Sequence, residues 1–211
     1  IYFTGGAFGD EDYLWMKDFL QLDGMCYKLV PIKTPIDKSN PYEMGMIDLE
    51  KMLNIVNKWN WGVENEKNIY LDVESRKNSI TYRSNISRLV NQLIFENKLI
   101  EAEKIIDKCM EKFPTNKFGY YTLLEPFINS YYEINKEEKA RKLFDEIAEK
   151  YQEKLFYYSG LNNSNKNRYA EEIYTDIERY RSLVDVMINF EDGEFLETRM
   201  QEFNNYLDLF L

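Results

Sequence analysis

The apolar residues in the middle of the chain recur at the spacing of one face of a helix. One stripe holds Ile86, Leu89, Val90, Leu93 and Ile94. After a polar turn at residues 96–98, a second stripe holds Ala102, Ile105, Ile106, Cys109, Met110 and Phe113. Intervals of three and four residues indicate an amphipathic helix, and Pro114 stops the second one. Residues 84–113 are therefore predicted to form a pair of antiparallel helices.

The same two-stripe pattern returns over residues 122–151. Its stripes hold Leu123, Leu124, Phe127, Ile128 and Tyr131, and then Ala140, Leu143, Phe144, Ile147, Ala148 and Tyr151. Residues 97–106 align with residues 135–144, and their alanines, Ala102 and Ala140, lie 38 residues apart. A small residue at this position lets two helices cross closely. The alignment predicts a repeated helix pair.

Pro126 allows two starting points for the second pair. Thr122 and Glu125 have the spacing of a capping box, which places Pro126 in the first helical turn, where its missing N–H costs least. If the helix instead begins near Phe118, Pro126 kinks it.

A third pair is predicted after a polar loop at residues 160–167. Its first stripe holds Ala170, Ile173, Tyr174, Ile177, Val184 and Met187, and its second holds Leu196, Met200, Phe203, Leu207 and Phe210. The turn between them contains Gly193, which is free to adopt a positive φ. This pair lacks the alanine signature, as is typical of a terminal repeat unit.

Helix pairs at a fixed period are typical of tetratricopeptide proteins, whose repeat is about 34 residues long. The spacing of 38 residues here is longer, and neither copy carries the Trp or Gly of that repeat. The alternative is a set of generic antiparallel helices with coincidental alanines. We favour a mainly α fold with about three tetratricopeptide-like helical hairpins.

The first 80 residues follow a different pattern. Residues 13–22 are apolar and aromatic and predict a helix. Residues 25–32 favour a strand, for which residues 1–3 are a candidate partner. We therefore expect a small mixed α/β segment over residues 1–80, followed by the repeat domain over residues 81–211.

Two more short elements are predicted in this segment. Asp48 has the position of an N-cap for a short helix that holds Met52, Leu53 and Val56, with Trp59 on the same face. Residues 69–71 suggest a brief strand, while residues 33–46 contain two prolines and form a loop.

Composition narrows the range of functions. The 211 residues carry a net charge of −10, which repels nucleic acid and anionic membrane surfaces. No histidine is present, so the commonest general base and metal ligand are missing. The two cysteines lie among apolar neighbours and favour buried thiols over a disulfide. We expect no cofactor and no metal site.

The remaining motifs are weak as catalytic signals. The glycine-rich segment at residues 5–9 is followed by three acidic residues instead of the Lys-Ser/Thr of a P-loop, so it favours a flexible loop. Glu137-Glu138 and Glu171-Glu172 are acidic pairs, but adjacent helical residues point about 100° apart and cannot face one another across a cleft. These pairs favour solvated helix faces.

Several stretches resemble one family of proteins. They are residues 12–24 running into 27–31, then residues 59–62, 118–121 and 176–180. The family consists of large, multi-pass bacterial membrane proteins that resemble protein O-mannosyltransferases. The resemblance implies that this chain is the soluble tail of a glycosyltransferase-like protein, tethered through an upstream membrane region and more plausibly on the periplasmic side. In such enzymes the catalytic acid lies in the membrane domain, so no catalytic residue is carried over to this chain.

We therefore expect a non-catalytic interaction or scaffold domain that binds a protein or peptide along the first helix of each pair. Contact residues are expected among outward-leaning side chains on those helices: Arg88, Asn91, Tyr121, Asn129 and Tyr132. The alternative is an accessory domain that binds a glycan or the acceptor. A flat row of exposed aromatic side chains favours this alternative, whereas polar Asn and Arg side chains favour an extended peptide.

Overall fold

The computed structural model describes residues 1–4, 16–34, 44–61 and 69–210. The predicted glycine-rich loop at residues 5–9 lies outside these ranges, as does most of the predicted loop at residues 33–46. The chain forms two compact units, unit 1 (residues 1–119) and unit 2 (residues 120–211).

Unit 1 begins with a three-stranded antiparallel sheet. Its strands are β1 (Tyr2–Thr4), β2 (Leu20–Asp23) and β3 (Cys26–Leu29), in the order β1-β3-β2. The β2–β3 turn places Gly24 at φ +67°, and a Cβ there would lie 2.7 Å from the Ile55 side chain. β1 and β3 confirm the strands predicted near residues 1–3 and 25–32.

The helix predicted over residues 13–22 is wrong where its end forms β2. All four residues of β2 are buried, including Gln21, whose amide donates to the Asp23 carboxylate at 2.5 Å. Leu20 and Leu22 do alternate with Gln21 and Asp23, but four residues at the end of an apolar, aromatic run are too few to distinguish a strand from a helix by periodicity.

Helices form the rest of unit 1. They are α1 (Leu49–Asn57), α2 (Val73–Phe95), α3 (Leu99–Lys112) and α4 (Thr115–Phe118). Asp48 caps α1 as predicted, because its carboxylate accepts from the Lys51 N–H at 3.2 Å. Residues 69–71 do not form the predicted strand: the Leu71 carbonyl accepts a hydrogen bond from the Arg76 side chain at 2.8 Å, and Asp72 then caps α2. The domain boundary predicted near residue 80 falls inside α2, whereas the compact units divide after Gly119.

Arg83 holds the end of unit 1 in place. Its side chain is fully buried, and its guanidinium donates to the carbonyls of Phe113 and Gly119, both at 2.6 Å. These two acceptors fix the segment around α4 against α2.

Unit 2 is entirely helical over its described residues. A short 3-10 turn (Tyr121–Leu123) leads into α5 (Glu125–Glu133), α6 (Glu137–Ser159), α7 (Asn163–Arg168), α8 (Ala170–Asn189) and α9 (Gly193–Leu207). α8 packs against both α5 and α6, and α9 packs against α6 and α8. With the small sheet of unit 1, this confirms the predicted mainly α fold class.

Three helix pairs, α2/α3, α5/α6 and α8/α9, are closed by the same turn. At the equivalent position each turn has a residue at positive φ: Asn97 (59°), Asn135 (58°) and Glu191 (52°). The third turn also holds Gly193 at 38°, as its sequence predicted. The N–H after the equivalent position then donates back to a carbonyl in the last helical turn: Lys98 to Leu93, Lys136 to Tyr131 and Asp192 to Met187. Such bonds satisfy carbonyls that a helix end otherwise leaves unpaired.

Several local predictions are also decided by the structure. Pro126 lies in the first turn of α5 as predicted, but the capping box is wrong, because Leu124 occupies the N-cap and Thr122 belongs to the 3-10 turn. The polar loop predicted at residues 160–167 contains α7, which Asn162 caps through its side chain. Both cysteines are free thiols, and Cys109 is fully buried.

Candidate functional site

A cleft of about 600 Å³ opens in unit 2 beside α5, α6 and the α8–α9 turn. We call it the Arg141 cleft. Charged and aromatic residues line it: Tyr132, Glu137, Arg141, Phe190, Glu191, Asp192, Gly193, Glu194, Phe195 and Thr198. The last turn of α5 supplies Tyr132, the first turns of α6 supply Glu137 and Arg141, and the positive-φ turn supplies Asp192. The cleft is thus built from the ends of helices.

An ion pair between Arg141 and Asp192 lies at the centre of the Arg141 cleft. Asp192 is 7% exposed. The Arg141 guanidinium donates to both carboxylate oxygens, from Nη2 to Oδ1 and from Nε to Oδ2 at 2.9 Å. The Tyr132 hydroxyl donates to Oδ2 at 2.5 Å. The buried carboxylate is therefore held by a forked guanidinium and a phenol.

These contacts fix the protonation states of the Arg141 cleft. The hydrogen bonds from Arg141 lower the pKa of Asp192 against the opposing effect of burial, and the bond from Tyr132 lowers it further. Burial raises the pKa of Tyr132, and its hydrogen bond to Asp192 adds to the shift. At neutral pH the three groups are a carboxylate, a guanidinium and a phenol. Because none of them exchanges a proton readily there, the trio is suited to binding and poorly suited to acid–base catalysis.

Aromatic rings form the walls of the Arg141 cleft. Phe190 stacks on Tyr132 with ring centroids 4.8 Å apart and an interplanar angle of 13°. Phe195 lies under two guanidinium groups, with Arg141 5.5 Å and Arg199 4.9 Å from its ring centroid. Such distances are typical of cation–π contacts, so this ring already binds cationic groups of the chain itself.

A second cleft of about 660 Å³ lies farther along α6 and α9. Most of its lining is charged: Lys142, Asp145, Glu146, Glu149, Arg199 and Glu202, with Gln152 and Tyr206. Arg199 donates to Asp145 at 3.1 Å and to Glu202 at 2.7 Å, so its charge is paired within the cleft. Glu146 and Glu149 are exposed.

The two clefts follow the same pair of helices. Phe144 contacts Phe195 edge-on at 5.8 Å, and Asp145, the next residue of α6, pairs with Arg199, one turn later on α9. The first cleft joins residues 137–141 of α6 to residues 193–198 of α9, and the second joins residues 142–152 to residues 199–206. Residue numbers therefore increase together along α6 and α9, which run in the same direction. We call the two clefts together the α6–α9 groove; it follows the second helices of the pairs, whereas ligand contact was predicted on the first.

Of the five predicted contact residues, Tyr132 lines the Arg141 cleft. On the same helix, the Asn129 amide donates to Glu133 at 3.0 Å. Tyr121 is half-buried and packs edge-on against Tyr151 with centroids 5.1 Å apart. Burial raises the pKa of Tyr121, although the charge of Lys154 opposes the shift.

The other two predicted contact residues belong to unit 1. Arg88 donates to the Gly45 carbonyl at 2.6 Å and to the Tyr27 hydroxyl at 3.3 Å. It therefore serves the packing of α2 on the sheet region. Asn91 is exposed on α2. Ligand contact by Arg88, Asn91, Tyr121 and Asn129 stays a prediction.

Arg141 and Asp192, which form the central ion pair of the Arg141 cleft, were not predicted as site residues from the sequence. Arg141 lies within the repeated segment and Asp192 within a predicted turn, but their pairing joins positions 51 residues apart. The alignment offers one signal: Arg141 replaces the Glu103 that follows the equivalent alanine, which reverses the charge between the two copies.

Aromatic side chains also cluster in another part of unit 2. Tyr158 lies between Tyr157 and Tyr169, with ring centroids 5.7 Å and 5.9 Å away. Phe156 and Tyr174 are 70% and 65% exposed. We call Tyr157, Tyr158 and Tyr169 the tyrosine cluster.

The described residues show neither a metal-binding group of side chains nor a membrane-spanning helix. Within the described ranges, no group of three or more acidic or cysteine side chains is arranged to hold a metal ion. Among the helices that the structure describes, none has both the length and the apolar character needed to cross a bilayer.

The first part of the chain is similar to a known family. Residues 1–51 match the family described as TMEM260-associated domain 2. TMEM260 is regarded as an O-mannosyltransferase-like membrane protein. No curated protein and no solved structure matches the chain. The matched segment contains the three strands and the beginning of α1.

Proposed function

We propose that this chain is a non-catalytic interaction domain of a glycosyltransferase-like membrane protein, and that the Arg141 cleft binds a protein or peptide segment. The cleft carries this proposal, because it combines an open volume, aromatic walls and polar groups fixed in place by an ion pair. Preorganised polar groups among apolar rings are typical of binding sites. The match of residues 1–51 to a TMEM260-associated domain supports the membrane parent.

Peptide selection tests the binding function. A random peptide library is selected on the purified chain, and the affinity of recovered peptides is measured by calorimetry. Phe195→Ala removes one wall of the Arg141 cleft and is expected to weaken binding about tenfold or more, as loss of a buried aromatic anchor does. Phe156→Ala removes an exposed ring outside the cleft and serves as the control.

Two outcomes would contradict the proposal. The first is that the library yields no peptide that binds the folded chain. The second is that Phe195→Ala and Phe156→Ala weaken binding equally, because this would place the contact outside the Arg141 cleft.

The non-catalytic assignment has its own test. The purified chain is incubated with a lipid-phosphate-linked mannose and an acceptor peptide, and transfer is followed by mass spectrometry. We expect no transfer, because Asp192 is locked by Arg141 and Tyr132 and the resemblance places the catalytic acid in the membrane domain. Turnover by the chain alone would show that it is an enzyme.

Glycan binding is the second candidate function, and the tyrosine cluster favours it. Tyr157 is exposed, while Tyr158 and Tyr169 are half-buried. A tyrosine ring presents an apolar face and a polar edge together, which suits a sugar ring. Titration with a mannose oligosaccharide, followed by NMR, is expected to shift signals of Tyr158 if this function is correct. Shifts that survive Tyr158→Ala, or no shift at all, would argue against it.

We also propose that the three helix pairs are of tetratricopeptide type. Their identical positive-φ turns and the alanines at Ala102 and Ala140, both fully buried, support this. The packing of α8 against both helices of the preceding pair agrees with a stacked repeat. An experimental structure that superposes poorly on such repeats would remove this proposal.

Finally, we propose that the chain faces the periplasmic side of a bacterial membrane as the tail of its parent protein. This rests on the resemblance and on the membrane character of TMEM260. Protease digestion of intact spheroplasts that carry the full-length protein tests which side of the membrane the chain faces. Protection of this region from added protease would place it in the cytoplasm.

A further inference from the structure

Unit 2 carries most of the negative charge of the chain. Residues 120–211 contain 11 Lys and Arg against 19 Asp and Glu, a net charge of −8, whereas residues 1–119 contain 16 against 18, a net charge of −2. The two halves therefore differ in the partners that they attract.

The acidic side chains of unit 2 are concentrated in the α6–α9 groove. Eight acidic residues line it: Glu137, Asp145, Glu146, Glu149, Glu191, Asp192, Glu194 and Glu202. Its three basic residues are Arg141, Lys142 and Arg199, and both arginines are held in ion pairs. The lining thus retains a net charge of −5.

Cationic side chains of the chain itself lie in the groove or next to it. Phe195 packs against the guanidinium groups of Arg141 and Arg199, so two cations of the chain itself already lie stably against this wall. Next to Glu149, the hydrogen bond that Lys150 donates to the Glu153 carboxylate raises the pKa of Lys150, and the charges of Glu149 and Glu146 add to the shift. Both observations indicate a surface that stabilises positive charge.

We propose that the α6–α9 groove binds a segment of protein rich in lysine and arginine. This proposal deepens the proposed function and rests on it. Charge complementarity selects such a segment over a second copy of this chain, whose own unit 2 would repel the groove. From Glu137 to Gln152 the groove extends roughly 22 Å at the helical rise of 1.5 Å per residue, which matches about seven residues of extended chain.

Labelled peptides of that length test the proposal by fluorescence anisotropy with the full chain. One peptide alternates Lys and Arg with Ser, and two matched peptides carry Gln or Glu in place of the basic residues. We expect binding of the basic peptide alone, and a fall in affinity as salt is added, because the attraction is between charges.

A double variant locates the contact. Glu146→Gln with Glu149→Gln removes two exposed charges of the groove and is expected to weaken binding about tenfold. Glu171→Gln with Glu172→Gln makes the same change of charge at two exposed residues of α8 that do not line the groove, and is expected to leave affinity within about twofold. Circular dichroism of both double variants checks that they are folded.

Three possible results distinguish a failure of this proposal from a failure of the proposed binding function. Equal weakening by the two double variants would overturn the proposal, because it shows diffuse attraction to the acidic unit. Absence of binding by the basic peptide would also overturn it. If library selection instead recovers uncharged or acidic peptides that depend on Phe195, the proposed function stands and the preference for basic segments is wrong.

Discussion

At the scale of single residues, Asp192 is a buried charge that several side-chain hydrogen bonds hold in place. It is buried, and it accepts hydrogen bonds from Arg141 and Tyr132 at the end of a positive-φ turn. A turn residue has thereby become the centre of the largest charged contact in the Arg141 cleft. Its role is structural and electrostatic at once, because the same bonds that order the cleft also close the α8–α9 pair onto α5 and α6.

Replacing this carboxylate is expected to lower stability in a pH-dependent way. Asp192→Asn should reduce the free energy of unfolding by about 1–3 kcal/mol at neutral pH, because hydrogen bonds to a charged group are lost. The hydrogen bonds from Arg141 lower the pKa of Asp192 in the folded state. Its contribution is therefore present above the unfolded pKa of about 3.9 and is lost as pH falls through the lower folded pKa.

Urea unfolding from neutral to strongly acidic pH measures this difference. Asp185→Asn removes an exposed carboxylate from α8 and is the matched control. A stability difference between the original chain and Asp192→Asn that stays constant down to the lowest pH would contradict the assigned ion pair.

The two thiols are expected to differ in reactivity. Burial raises the pKa of Cys109 to about 12, so this thiol stays protonated at neutral and mildly basic pH. Cys26 is half-buried on β3. Alkylation of the native chain at mildly basic pH should therefore modify Cys26 alone, and Cys26→Ser should remove the label. Labelling of Cys109 without denaturant would show that its surroundings open to solvent.

At the scale of elements, the repeated turn explains how unlike sequences give the same helix pair. Asn97 and Asn135 adopt positive φ at equivalent positions, and Glu191 does so in the third pair although the alanine signature is absent there. Asparagine enters this conformation more easily than most residues because its short polar side chain bonds locally. The turn is thus a more general feature of these pairs than the alanine.

Substitution at the second turn tests this role. Asn135→Ala should destabilise the chain by about 1 kcal/mol, because alanine is strained at a φ of 58°. Asn135→Gly should be close to neutral, since glycine adopts this conformation freely. Thermal unfolding of the two variants measures the difference, and equal melting temperatures would show that the turn backbone is not a source of strain.

The helices were predictable because their apolar spacing survives packing, and the two turns with Asn-Lys marked the junctions. β2 was not predicted, because its alternation of Leu20 and Leu22 with Gln21 and Asp23 covers only four residues and directly follows an apolar, aromatic run that suggests a helix. The Arg141 cleft was not predictable for another reason. Its central contact joins Tyr132 to Asp192 across 60 residues, and no local pattern records which helix ends meet.

At the scale of the whole molecule, the negative charge of the chain is concentrated in unit 2, and we expect it to repel polyanionic partners. We expect no binding to duplex DNA or to vesicles that contain anionic lipid, because a net charge of −8 in unit 2 repels both. Gel-shift and vesicle-sedimentation experiments at low salt, where attraction between charges is strongest, provide the measurement. Retention by either polyanion would contradict this expectation.

The ion pair of the Arg141 cleft also sets how the domain responds to its surroundings. The pKa of Asp192 is lowered, those of Tyr132 and Arg141 are raised, and the chain has no histidine. Acidification from about pH 8 to pH 5 therefore changes the charge of none of these three groups. For the binding proposed above we therefore expect little change in affinity over this pH range, so that a partner recognised by this trio would be retained in a mildly acidic compartment.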